Sequence, residues 1–372
     1  MFLKDTKELF KSLRKLERQT SSYHGLLIVK DLCSFCFVIS ILMGTGYLIY
    51  EKCTTDVYNL GGLGDFIGGI IGTVLAFISI LILYSTLTLT NKQIKHQQKS
   101  VIKQEIESHF FELIKIHRDN VSKIKEENPK IFKSLVNRIE RSYEKFESAQ
   151  GVFSKKELHV DDFITLAYLL FYYGNSNESK ETIKEIYNKY SKEFGKIVYK
   201  VDIYNPNEYI LSVSEEPVIS GEEALNAISK VDNILAAIRK NESKLSNSDE
   251  YEKEGFELLL GQYFRHIYQT VKYINDQPIY ILSDREKYNY VKMLRAQLSS
   301  YEQALLFWDS LSPLGYVWEM SEIKRSFVNN VEPNINKRLI TKYQIIKNIP
   351  PHMLSVIHPQ QFYKDVKFDW IE

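Results

Sequence analysis

The longest apolar stretch of the chain begins at Gly64 and continues to Leu89, and no charged side chain follows Asp65 within it. Such a run exceeds what a buried helix needs and matches the roughly 30 Å hydrocarbon layer of a bilayer at about 1.5 Å per residue. Small residues recur along it at every fourth position, so they share one helix face that a neighbouring backbone can approach closely. They are Gly64, Gly68, Gly72 and Ala76. The pattern predicts a transmembrane helix with a packing face.

An earlier apolar stretch, from about residue 32 to 50, predicts another spanning helix. It carries Cys36, Ser40 and Gly44 at the same four-residue spacing, and the loop of residues 51–63 that follows is short. Two helices joined by a short loop pack readily as an antiparallel hairpin. We therefore expect the two small-residue faces to pack together within one chain, with assembly into a homo-oligomer as the alternative.

Basic residues flank the two predicted spans on the same side. Only Lys52 lies in the connecting loop, whereas several basic residues precede the first span and follow the second. Those before it are Lys4, Lys7, Lys11, Arg14, Lys15 and Arg18, and those after it are Lys92, Lys95, Lys99 and Lys103. Because Lys and Arg accumulate on the cytoplasmic side of membrane proteins, this distribution predicts a two-pass protein with both termini in the cytoplasm.

Beyond Thr90 the helix is expected to continue, because neither Gly nor Pro interrupts the chain until Pro129. An apolar stripe with helical spacing then begins, in which His117 occupies one position and is expected to be a hydrogen-bonded core residue. The stripe consists of Ile102, Ile106, Phe110, Leu113, Val121 and Ile124. It indicates the point at which a soluble core begins.

The remaining periodicity predicts a helix-rich body with helices at 131–146, 160–173, 181–194, 224–245, 254–275 and 285–308. Residues 197–204 alternate as a strand does, and Asn205, Pro206 and Asn207 supply a turn. The fold class is therefore mainly α. We divide the chain into an N-terminal segment (1–25), a two-span hairpin (26–90), a stalk helix (91–125), a helical cytoplasmic domain (126–350) and a C-terminal tail (351–372).

Composition limits the chemistry that this body can perform. Forty-eight basic residues balance forty-seven acidic ones, so no broad nucleic-acid-binding surface is expected, although a local patch stays open. The only cysteines are Cys33, Cys36 and Cys53, in or beside the predicted spans. No zinc-binding spacing and no phosphate-binding glycine loop occur, so we expect neither a metal nor a cofactor.

Two predicted helices carry the best candidates for a ligand site, which are Arg265, His266, Arg295 and Gln297. A guanidinium fork suits phosphate and a histidine can transfer protons near neutral pH, so these residues could surround an anionic ligand or an RNA phosphate. Alternatively, the arginines pair with a carboxylate such as Glu302 or cap a neighbouring helix. No catalytic residue is assigned.

Four ordered segments of the chain resemble the AbiC-like phage abortive infection family. They are residues 64–72 (GDFIGGIIG), 110–117 (FFELIKIH), 261–274 (GQYFRHIYQTVKYI) and 290–302 (YVKMLRAQLSSYE), and residues 343–348 (YQIIKN) are similar to its closing segment. The resemblance implies a bacterial inner-membrane protein that defends against bacteriophage by stopping the infected cell. It brings no agreed catalytic residues.

Three mechanisms are compatible with these features. In the first, the helical domain responds to a phage component and the transmembrane hairpin disrupts the lipid bilayer. In the second, the domain is an RNase toxin similar to α-helical HEPN nucleases. Their Arg and later His on one helix are missing from the cytoplasmic domain, where Arg265 and His266 are adjacent, and the nearest match, Arg18 and His24, lies in the N-terminal segment. In the third, the protein is a non-catalytic sensor or scaffold for an associated defence protein.

Overall fold

The protein is described here from a computed structural model. Its described residues are 60–148, 160–194, 197–201, 209–213, 220–226, 228–229 and 255–370, together with Ser34, Ile41, 44–46 and Leu48. The chain forms two compact units, Met1–Gln104 and Glu105–Glu372. The described part is mostly helical, which confirms the mainly α fold class.

Helix α1 spans Leu60–Glu127 without interruption. It passes Thr90 and ends just before Pro129, as the absence of helix-breaking residues predicted. Its apolar portion is long and apolar enough to cross a membrane, and none of the most apolar window is buried against protein. Among the residues searched this is the one helix that meets that test of length and composition.

The predicted two-helix hairpin is not supported by the described residues, and neither is the two-pass topology. Most of the first predicted span, including Cys36 and Ser40, lies outside the described residues. A Cβ atom built on Gly44, Gly68 or Gly72 would meet no atom within 4 Å. Small residues permit a close approach but do not determine which helix makes it. Among the described residues, Gly44 of the first predicted span and Gly68 and Gly72 of α1 therefore do not make the expected contact.

The second unit contains the remaining helices and one pair of strands. In chain order they are α2 (Ile131–Ser148), α3 (Val160–Tyr173), α4 (Asn177–Phe194), β1 (Ile197–Val201), β2 (Tyr209–Val213), α5 (Glu257–Asn275), α6 (Asp284–Arg295), α7 (Ser300–Leu311), α8 (Met320–Asn329), α9 (Leu339–Tyr343) and α10 (Pro359–Phe362). Short 3-10 turns cover Tyr316–Trp318 and Ile335–Lys337. The strands pair antiparallel, with Ile197 opposite Val213.

The single helix predicted for residues 285–308 is wrong, because α6 ends at Arg295 and α7 begins at Ser300. The Ser299 hydroxyl accepts the backbone N–H of Glu302, and the Glu302 carboxylate in turn accepts the backbone N–H of Ser299. This reciprocal capping box starts a new helix even though the apolar periodicity continues across the break. The same pattern, Ser283 with Glu286, starts α6.

The core of the second unit forms where α2, α3 and α7 pack together. Aromatic side chains fill it, and Trp308 and Tyr143 contact each other with ring centroids 5.9 Å apart. Residues 351–370 contribute to the same core through Leu354, Ile357, Tyr363, Val366 and Phe368, all of which are buried. The backbone N–H of Ser355 also donates to the buried carboxylate of Glu140 at 2.6 Å.

Candidate functional site

The part of α1 within the second unit, residues 105–125, packs along helices α5, α6 and α7, and we call it the α1 contact strip. Ile106 and Phe110 are buried, as the apolar stripe predicted. Ile114, Val121 and Ile124 are half-buried against the same core. Since these positions recur every three or four residues, one face of the helix is covered by protein and the other is exposed.

Polar contacts join the strip to the neighbouring helices at nearly every turn. The Tyr290 hydroxyl donates to Glu107 at 2.5 Å, and the ring of His109 packs edge-on against Tyr273 with centroids 4.8 Å apart. Further along, Nε2 of His266 lies 2.9 Å from the carbonyl oxygen of Leu113. Lys125 forms an ion pair with Glu302, with N and O atoms 3.7 Å apart. The strip is thus connected to α5, α6 and α7 by directional bonds as well as by apolar packing.

A pair of stacked histidines lies at the centre of the strip. The rings of His117 and His266 are nearly parallel, with centroids 6.3 Å apart. His117 is 1% exposed, and neither of its ring nitrogens has a hydrogen-bond partner among the described residues. Burial is the main cause that lowers the pKa of His117 from 6.5 to about 4, although Glu302 acts in the opposite direction. The imidazole is therefore neutral at pH 7.

The expectation that His117 is a core histidine is confirmed, but the expected hydrogen bond is not found. Such an unpaired buried polar group costs about 1–3 kcal/mol. Buried polar atoms without partners are uncommon in folded proteins.

Glu302 is the anionic partner in this cluster. It is 1% exposed and accepts hydrogen bonds from the Tyr263 hydroxyl at 3.0 Å and from the Ser299 hydroxyl at 2.5 Å. Burial, and then the charge of Glu302, raise the pKa of Tyr263 well above its ordinary value. The cluster therefore holds a neutral imidazole at the interface between α1 and its neighbours, and burial opposes its protonation although Glu302 favours it.

The four predicted ligand-binding residues make separate contacts. Nε of Arg265 donates to the carbonyl oxygen of Gly261 at 3.0 Å, and Arg295 donates to the carbonyl oxygens of Tyr343 and Gln344 at 3.2 and 2.9 Å.

Gln297 is exposed in the turn between α6 and α7. Of the four, His266 is bonded to the α1 contact strip, through the carbonyl oxygen of Leu113. Within the described ranges, no hydrogen bond, ion pair or ring contact joins any two of these four residues. That they bind an anion stays a prediction.

Arg295 therefore caps the C-terminal end of α9. This was the alternative that the sequence left open. Among the described residues, no group of three or more His, Cys, Asp and Glu side chains could hold a metal ion. The sequence predicted the apolar stripe on α1 but not the residues that contact it, because the contacting residues are far apart along the chain. His266 and Leu113, for example, are separated by 153 residues.

Comparison with known proteins finds one family match, and it covers the part of the chain that contacts the strip. Residues 256–354 match the family model described as "Putative phage abortive infection protein", which confirms the resemblance over that range. No curated protein and no solved structure matches the chain. The strip's partners His266, Tyr273, Tyr290 and Glu302 all lie within the matched residues.

Proposed function

We propose that this protein is a membrane-anchored abortive infection protein, in which α1 transmits the state of the family-matching helices to a membrane segment. The single observation that carries the proposal is that α1 has two different parts in one helix. One uninterrupted helix contains an exposed apolar portion and also the contact strip whose partners belong to the matched range.

The exposed surface of the apolar portion supports the membrane anchor. Ile80 and Leu83 are 63% and 60% exposed, and such side chains are more stable in hydrocarbon than in water. The hydroxyls of Thr73 and Ser79 donate to carbonyl oxygens of their own helix at 2.9 and 2.8 Å. Polar groups in a bilayer have to be satisfied in this way, because no water is present. A second span and cytoplasmic termini remain part of the proposal.

The proposed mechanism is a repacking of the small-residue face during infection. The helical domain binds a phage component or an associated defence protein, and the contacts at the strip change. Because residues 105–125 and the apolar portion belong to one helix, movement of the strip is passed along it. Gly68 and Gly72, which meet no atom within 4 Å in this structure, then gain a packing partner, either within the chain or in a second copy, and the bilayer loses its barrier.

Two arginines introduced into the apolar portion test the anchor. Ile80→Arg/Leu83→Arg places charges near the middle of the span, where each costs about 2.5–3.5 kcal/mol. We expect this variant to lose protection, measured as the efficiency of plaquing, because this span no longer crosses the membrane even where residues 32–50 still hold the chain in the membrane fraction. Ile94→Arg/Val101→Arg is the matched control, since both residues are also exposed on α1 but lie beyond Leu89.

The control should remain in the membrane and protect. Full protection by Ile80→Arg/Leu83→Arg would refute the role of this span. Infection at a high and at a low phage-to-cell ratio tests whether the protein defends by abortive infection. Abortive infection predicts survival of the culture only at the low ratio, and survival of every infected cell at the high ratio would contradict it.

A further inference from the structure

His117 differs from the other buried acidic and basic side chains among the described residues. Each buried Asp, Glu, Lys or Arg there makes at least one hydrogen bond. Lys324, for example, donates to Asp161 at 3.0 Å, and Asp309 accepts from the Tyr168 hydroxyl at 2.7 Å. His117 is 1% exposed, yet both of its ring nitrogens lack a partner within the same residues. The fold thus bonds its buried carboxylates and cations but leaves this imidazole unsatisfied.

The unsatisfied imidazole lies at the interface between the α1 contact strip and α5. The ring centroid of His117 is 5.6 Å from that of Tyr263 and 6.3 Å from that of His266. Toward the other end of the strip, His109 contacts Tyr273. Since the residue numbers rise along α1 as they fall along α5, the two helices lie antiparallel on this face. Separation of the strip from α5 would therefore bring His117 into water.

The polar contacts that hold the strip closed are ones that water can replace. Lys125, in its ion pair with Glu302, is 39% exposed, and the bond from Tyr290 to Glu107 is only partly buried. Bonds of this kind are exchanged for bonds to water at a small net cost, so they oppose opening only weakly. The nitrogens of His117 gain bonds to water and give up none, so this residue favours the open state.

We propose that the α1 contact strip opens from α5 while the rest of the second unit stays folded, and that His117 sets how often it opens. Local opening of this kind needs less free energy than global unfolding, and the elements that move in regulation are drawn from such regions. The closed strip is then the resting contact and the open strip the active one. This inference rests on the proposed function, in which α1 passes on the state of the family-matching helices.

A cysteine placed under the strip measures the opening. Thr270 is 0% exposed and lies between His266 and Tyr273 on the face of α5 that the strip covers. The full chain in nanodiscs, carrying Thr270→Cys, is treated with a maleimide, and peptide mass spectrometry follows this thiol separately from the native cysteines. Thr165→Cys is the matched control, because Thr165 is also 0% exposed but lies on α3 in the core, where labelling needs global unfolding.

The expected rates follow from the two kinds of opening. Thr270→Cys should be labelled at least about 10-fold faster than Thr165→Cys, since the strip opens more often than the whole unit unfolds. His117→Leu and His117→Phe both remove the two ring nitrogens, and each should slow the labelling of Thr270→Cys by about 5-fold or more. Two substitutions of different volume are used because a poor fit of one would itself open the strip.

The ion pair of the strip provides a change in the opposite direction. Lys125→Ala removes the partner of Glu302 and should speed the labelling of Thr270→Cys by up to about 5-fold. Lys123→Ala is its matched control, since Lys123 is exposed on the same helix, and it should leave the rate unchanged.

Equal labelling of Thr270→Cys and Thr165→Cys would overturn the inference, and so would an unchanged rate in both His117 variants. Protection against phage is measured on the same His117 variants without an added cysteine. Slower labelling together with lost protection would support both the inference and the proposed function. Slower labelling with full protection would support the opening of the strip and contradict transmission through α1.

Discussion

Replacement of His117 by phenylalanine tests the stacked histidine pair through its effect on stability at different pH. The pKa of His117 falls from 6.5 to about 4 in the folded protein, mainly because the imidazole is buried. Below about pH 6.5 the unfolded chain therefore takes up a proton that the folded protein excludes. The contribution of His117 to stability decreases as the pH falls from about 6.5 to about 4.

The magnitude follows from the two pKa values. The full difference corresponds to about 3 kcal/mol, and about 2 kcal/mol of it is lost by about pH 5. For a unit of this size, that amounts to about 4–8 °C in melting temperature. At pH 8, where His117 is neutral in both states, His117→Phe should be as stable as wild type or more stable, because it removes two unpaired polar atoms.

Thermal unfolding of the full chain in detergent, followed by tryptophan fluorescence, measures this directly. Trp308 and Trp318 are both fully buried in the second unit and report on its unfolding. Between about pH 8 and 5, wild type should lose about 4–8 °C relative to His117→Phe. His352→Phe, at an exposed position, should follow wild type. The same pH dependence in wild type and His117→Phe would refute this account of the cluster.

Three further predictions concern the second unit and use the same unfolding measurement. Burial raises the pKa of Asp309 from 3.8 to about 7, so its contribution favours folding at low pH and is lost as the pH rises through about 7. Asp309→Asn should therefore lose about 3 kcal/mol less stability than wild type between about pH 5 and 8, and an unchanged profile would contradict this. Lys324→Met should cost about 3–5 kcal/mol because it removes the cation that lies 3.0 Å from the buried carboxylate of Asp161 and leaves that carboxylate with the neutral hydroxyl of Tyr190. Lys324→Met/Asp161→Asn should recover most of that loss, and a double variant as unstable as the single one would oppose the explanation. Truncation after Pro350 removes five buried apolar side chains at about 1.5–3 kcal/mol each, so the second unit should not fold, and a cooperative transition of wild-type size would show otherwise.

Local patterns predicted most of the helices. Helix α3 has the predicted bounds of residues 160 and 173, because its apolar run begins beside Val160 and stops at Gly174. The alternation in residues 197–204 correctly indicated a strand. Residues 285–308 were misread because the apolar period hides the capping box at Ser299, although the Ser-x-x-Glu signal was present in the sequence.

The candidate site depends on contacts that no local pattern can show. Spacing could not reveal that His266 of α5 stacks on His117 of α1. The carbonyl ligands of Arg295 come from the end of a helix that follows it by almost 50 residues. Such pairings are determined by tertiary packing, whereas periodicity reports only which face of each helix is buried.

The most direct test of the central claim is the membrane potential of infected cells, recorded through one infection cycle together with RNA integrity. The account predicts that wild type depolarises the membrane before phage release while RNA stays intact. Gly68→Leu/Gly72→Leu should abolish the depolarisation, and the control Ile70→Leu/Val74→Leu, on the opposite helix face, should keep it. Protection with an undiminished membrane potential would contradict the claim.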